Sequence, residues 1–113
     1  MLSKKYRLTR REDFSKVFSK GAYARQDELS IKYAKNSLPL TRIGFPIGKN
    51  YSKKAVVRNR TRRVLQAAFD EITSKITPGF DIVVIISPGY QKIELKKISG
   101  QLQKILYKAN LFM

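Results

Sequence analysis

The run Phe80-Asp-Ile-Val-Val-Ile-Ile-Ser87 constrains the fold of this chain more than any other stretch. It is too short for a stable buried helix, is rich in β-branched residues, and does not alternate between apolar and polar. That combination reads as a central strand covered on both faces. A strand of this kind needs a sheet on either side of it and packing layers above and below, so the remaining elements must supply them.

They read as follows. Thr9-Arg10-Arg11-Glu12 has the form of a capping box, opening a helix over about 10–20 in which Phe14, Val17 and Phe18 share a face. Gly21 offers a left-handed stop. Leu29, Ile31 and Tyr33 alternate with Ser30, Lys32 and Ala34, the period of a half-buried strand. Residues 36–40 hold turn formers. A second strand follows in RIGFPI (42–47), with Ile43, Phe45 and Ile47 on one side and Pro46 marking an edge or a bulge. After the basic loop 48–54 a helix runs from about 55 to 74. Turns at 77–81 and 87–91 flank the apolar strand. Leu95, Ile98, Leu102, Ile105, Leu106 and Ala109 then repeat at helical spacing. The order α-β-β-α-β-α predicts an α/β sandwich, one domain over residues 1–113 with a small mixed sheet and residues 1–8 as a basic arm. A strand–helix–strand crossover through 43–87 is right-handed by default.

Charge says what such a domain meets. The chain holds 24 Lys and Arg against 8 Asp and Glu, a formal charge of +16. That surplus opposes compaction and calls for a polyanionic partner, nucleic acid before an anionic membrane. No window approaches the ~20 apolar residues of a membrane span. The absence of cysteine excludes disulfides and thiolate metal sites and fits a cytoplasmic protein. The absence of histidine excludes imidazole catalysis and ligation. The carboxylates fall mostly as sequence neighbours, Glu12-Asp13, Asp27-Glu28 and Asp70-Glu71, which diverge and do not form a two-metal site. No residue is assigned a catalytic or metal-binding role.

The helix after residue 54 carries the most telling pattern. Val57, Thr61, Val64, Leu65, Ala68 and Ile72 gather on one side with Phe69 at the margin, while Arg58, Asn59, Arg60, Arg62 and Arg63 crowd the N-terminal half. Like charges at i,i+4 such as Arg58 and Arg62 repel, and cations at a helix N-terminus oppose the macrodipole. A docked phosphate reverses both penalties, and the guanidinium fork suits it. Lys49, Lys53 and Lys54 add to the same end. A merely solvated charged face is the alternative; the clustering against the dipole favours an anion site.

The stretch RIGFPIGKNYSKKAVVRNRTRRVLQAAF, together with Leu8, Phe14 and Phe18 upstream and DIVVIISPG downstream, resembles the bacterial ribonuclease P protein component. Its signature is a strand, a basic loop and a helix opening with R-N-R, here Arg58-Asn59-Arg60 followed by Arg62-Arg63. The resemblance implies an α/β sandwich with a left-handed crossover in place of the default hand. It implies a protein that binds a catalytic RNA, which removes the 5′ leader of precursor tRNA with magnesium, one protein per RNA and no cofactor on the protein. Arg58, Asn59, Arg60, Arg62, Arg63, Lys49, Lys53 and Lys54 then contact the catalytic RNA. Phe14, Phe18 and Tyr33 match the aromatic positions of the family's leader cleft, where stacking tolerates any base; the two phenylalanines fit a core role equally well. Gln66, Gly48-Lys49-Asn50 and Pro46 depart from the family pattern. A ribosomal-type structural RNA binder and a DNA reader are the competing functions.

Overall fold

The computed structural model of the protein describes residues 4–87 and 94–112. The apolar run forms β4 (Phe80–Ile86), placed inside a four-stranded sheet of order β1-β2-β4-β3. Its neighbours are β2 (Leu29–Lys35), antiparallel with Ile31 opposite Val84, and β3 (Arg42–Gly44), parallel with Ile43 opposite Ile82. Ile82, Val83 and Val84 are all fully covered, so both faces are indeed roofed. The turn expected at 87–91 lies outside the described residues except for Ser87.

One strand escaped the sequence reading. β1 (Ala22–Gln26) pairs antiparallel with β2 through the two-residue turn Asp27-Glu28, making the order α-β-β-β-α-β-α. AYARQ shows no apolar alternation because this edge strand is largely exposed. Asp27 takes φ 55, a left-handed conformation that aspartate tolerates.

The first helix, α1, spans Arg11–Lys20, and its start differs from the expected capping box. Leu8 N–H donates to the Ile43 carbonyl at 2.8 Å, which ties the incoming chain to β3 and keeps it extended through Arg10. The N-cap is therefore Arg10, with no side-chain cap. Gly21 is not a left-handed stop either: its φ of −77 and ψ of 151 lead directly into β1. Glycine is needed there for clearance, since a Cβ would sit 2.3 Å from the Val17 carbonyl oxygen.

Two helices cover the opposite sheet face, α2 (Ala55–Ile72) and α3 (Leu95–Lys108). Leu29, Ile31, Ile82, Leu65, Phe69, Ile98, Leu102 and Ile105 interlock there with no exposed surface. Each such side chain contributes about 1.5–3 kcal/mol by leaving water. Phe69 sits in the centre of this core, not at its margin, because Phe45 reaches it from the end of β3 with ring centroids 5.5 Å apart. Phe45 and Ile47 do face the same core as Ile43, but the ladder stops at Gly44. Ile47 N–H closes a tight turn onto the Phe45 carbonyl across Pro46, which has no N–H to continue the strand. On the other face α1 covers a smaller cluster of Leu8, Val17 and Val83, with Phe14, Ala34 and Ile85 around it. The layers are thus α1, sheet, and the α2–α3 pair.

Candidate nucleic-acid interface

The N-terminus of α2 is built open. Lys54 occupies the N-cap without a side-chain cap, and the first turn contains no acidic residue. The amides of that turn therefore keep their partial positive charge available to an anion.

The four arginines divide into two pairs. Arg58 Nη1 donates to the Ser52 carbonyl at 3.0 Å. Arg62 donates to the Ile47 carbonyl through Nη2 and to Asn59 Oδ1 through Nη1 at 3.0 Å. These two guanidinium groups fasten the 47–52 loop to the helix, which explains how like charges at i,i+4 are accommodated. Each retains further N–H donors. Arg60 and Arg63 are exposed and, among the described residues, have neither a hydrogen bond nor an ion pair. Lys49, Lys53 and Lys54 are exposed on the loop that Arg58 and Arg62 hold. Thr61, which the helical wheel put on the apolar side, is buried and bonds back to the Val57 carbonyl at 2.9 Å.

On the other side of the sheet Phe14 and Phe18 have different roles. Phe14 is half-buried against Gly44, where an added Cβ would lie 2.6 Å from its Cε1 and Cζ atoms. Phe18 is 42% exposed. The Lys32 ammonium stands 5.5 Å from its ring centroid and donates to its carbonyl at 3.3 Å. Lys32 is paired across the hairpin with Tyr23, itself exposed, so the two share this face. Neither was singled out in the sequence; Lys32 and Tyr23 became neighbours only through the unforeseen β1.

Tyr33 is not brought to the phenylalanines. Alternation along β2 turns it toward the α2–α3 side, where it meets Phe80 edge-on at 6.3 Å. It reaches solvent at the end of the sheet, in a concavity of about 520 Å³ shared with Lys16, Lys20 and Lys35.

A polar network fixes α1 on the sheet. Asp81, buried on β4, accepts Arg42 Nε at 2.9 Å, Arg42 Nη2 at 2.7 Å and Asn36 Nδ2 at 2.9 Å. Arg42 Nη1 meets Asp13 of α1 at 3.4 Å. The hydrogen bond to Asp81 holds the Arg42 guanidinium above its ordinary pKa, against the opposing effect of burial. Two carboxylates from distant elements, Asp13 and Asp81, thus meet the same guanidinium, which fills the space between them. Among the described residues no three acidic groups gather into a metal site.

The sequence model of the family described as Ribonuclease P matches residues 2–110. The chain belongs to the ribonuclease P protein family. It is 41% identical over 110 residues to the ribonuclease P protein component of Pseudanabaena sp., covering 96% of this chain and 95% of that one. The fold agrees with that of the Staphylococcus aureus ribonuclease P protein, with a TM-score of 0.84 at 25% identity over 96% of this chain and 98% of that one. The Thermotoga maritima ribonuclease P protein gives a TM-score of 0.80 at 26% identity, covering 90% and 96%. As a ribonuclease P protein, the chain is a subunit of the ribonucleoprotein that processes the 5′ end of tRNA. No helix among the described residues is long and apolar enough to cross a membrane.

Proposed function

We propose that this subunit docks on the ribonuclease P catalytic RNA through the N-terminal half of α2. Arg60 and Arg63 supply unengaged guanidinium forks to phosphates, Asn59 lies one turn before Arg63 on the same face, and Lys49, Lys53 and Lys54 extend the positive rim. Arg58 and Arg62 contribute their remaining donors while holding the loop in register. The whole chain acts as one RNA-binding domain, with the basic residues before α1 lying along β3 as a docked arm. It works in the cytoplasm, one protein to one RNA.

The single-stranded 5′ leader of precursor tRNA lies between α1 and the exposed sheet face. Phe18 and Tyr23 offer rings for stacking there, Phe14 sets the floor, and Lys32 neutralises a phosphate. Tyr33 belongs to the end of this path, where Lys16, Lys20 and Lys35 accompany it. Cleavage belongs to magnesium held by the RNA; the protein carries no catalytic residue and no cofactor. Its contribution is to reduce phosphate repulsion between catalytic RNA and precursor.

The observation that carries this reading is the presence of two exposed arginines without a partner among the described residues, on a helix whose N-terminus is uncapped. Reconstitution tests it. With the cognate catalytic RNA and a precursor tRNA, adding the protein lowers the magnesium concentration needed for cleavage, and the protein alone cuts nothing. Robust cleavage by RNA-free protein overturns the assignment of chemistry to the RNA.

A further inference from the structure

The outer face of α3 contains a second feature suited to RNA, separate from the two surfaces above. Between Leu95 and Lys108 the helix carries Lys96, Lys97, Lys104 and Lys108 and no carboxylate. Tyr107 stands between the last two lysines with 74% of its surface exposed. Burying this large ring would be favourable, yet the fold leaves it in water. It borders an open concavity of about 450 Å³ lined by Gln26, Gln103, Lys104, Tyr107, Lys108 and Phe112.

This place lies far from the arginine rim. Ile76, beyond the C-terminus of α2, bridges to Phe112, and Thr77 N–H donates to the Leu111 carbonyl at 2.7 Å. Phe112 thus sets one wall of the concavity near the C-terminal end of α2, where Ile72 stands about 18 Å along the axis from Arg60 at ~1.5 Å per residue.

The chemistry of the lining selects a ligand. A bare phenol ring suits a planar base, two ammonium groups suit flanking phosphates, and two carboxamides can both donate to and accept from a base edge. Lys108 Nζ is steadied at the rim by the Arg25 carbonyl at 3.2 Å and keeps donors to spare. Among the described residues the Gln26 and Gln103 amides make only long contacts, to Asp27 Oδ2 at 3.4 Å and Ser99 Oγ at 3.5 Å, which a ligand can replace. Asp27 repels phosphate from the β1 end, so a strand entering here runs along the Lys104–Lys108 side.

We propose that this concavity binds an unpaired RNA nucleotide, its base stacked on Tyr107 and its phosphates on Lys104 and Lys108. It gives the subunit a third point of attachment, on a single-stranded segment of the RNAs in its particle. An acidic peptide is the competing occupant, but it would leave the ring face and the carboxamide pair without planar partners.

The test is amide NMR of the full chain titrated with a short oligouridylate. Shifts appear at Gln26, at 103–108 and at Phe112, and their affinity falls by roughly 5- to 150-fold in Tyr107→Ala, the range for one lost base stack. Tyr107→Phe retains wild-type affinity, and amides at 55–66 respond alike in all three proteins. Lys104→Ala and Lys108→Ala each reduce the salt slope of this site by about 0.7. The proposal fails if these amides do not move. It fails equally if tripolyphosphate reproduces the shifts and Tyr107→Ala loses nothing, or if an acidic peptide binds there more tightly than the oligonucleotide.

Discussion

Replacing Arg42 with methionine probes how the α1 layer is held. The substitution keeps the stem's volume and removes the guanidinium from between Asp81 and Asp13. Asp81 then loses hydrogen bonds at 2.9 and 2.7 Å while its side chain stays 9% exposed, retaining only Asn36. Breaking a buried pair by removing one partner costs about 3–5 kcal/mol. Arg42 is 23% exposed and Asp13 18%, so water screens the pair and the lower end applies, about 3 kcal/mol. Loss of the Asp13 contact adds little, because an ion pair at that exposure is worth about 0.2–1 kcal/mol. Urea unfolding followed by circular dichroism reads the loss directly. With a slope of about 1–3 kcal/mol per molar urea, the midpoint falls by at least ~1 M. Adding Asp81→Asn removes the orphaned charge while its amide oxygen still accepts Asn36, so the double variant recovers roughly 1–2 kcal/mol. If Arg42→Met costs under about 1 kcal/mol and Asp81→Asn restores nothing, the network does not hold the layers as described.

Other outcomes follow from the same structure. Gly44→Ala drives a Cβ into the Phe14 ring, costing about 1–3 kcal/mol in calorimetry and weakening precursor tRNA binding more than catalytic-RNA binding. Phe69→Ala removes the ring that meets Phe45 in the core and lowers stability by about 3–5 kcal/mol in urea titration. Arg58→Ala and Arg62→Ala each lose a bond to the 47–52 loop and about 0.5–1.5 kcal/mol of stability, whereas Arg60→Ala and Arg63→Ala change the unfolding midpoint negligibly. Phe18→Ala, at a site with 42% exposure, leaves folding intact and reduces affinity for precursor over mature tRNA in filter binding.

Much of this was legible where a residue's environment is set by its neighbours in sequence. The continuous apolar run gave β4 its central position, and helical spacing gave α2 and α3 their buried faces. Pro46 announced the end of β3. The arginine cluster against the helix dipole points from sequence alone to an anion site at this helix end, the surface proposed above for the catalytic RNA. What could not be read depended on partners distant in the chain. β1 has no apolar rhythm because its edge position demands none, and its absence from the sequence reading hid the Tyr23–Lys32 pair. The capping box failed because Leu8 is tied to Ile43, 35 positions away in number, which fixes the backbone before Thr9 can cap. Tyr33 is grouped with the phenylalanines by the resemblance and reads as the better contact of the three, but the pleat turns it to the other face of the sheet. The division of labour among the arginines was equally hidden, since it depends on where the 47–52 loop places its carbonyls.

The central proposal is that Arg60 and Arg63, which have no partner among the described residues, are left open for RNA phosphates. Affinity of the purified protein for its catalytic RNA, measured across a salt series, addresses it most directly. Arg60→Ala and Arg63→Ala should each flatten the plot of log affinity against log salt by about 0.7–0.9, and the double variant by about twice that, with the fold unchanged. Wild-type affinity and slope in the double variant would contradict the account.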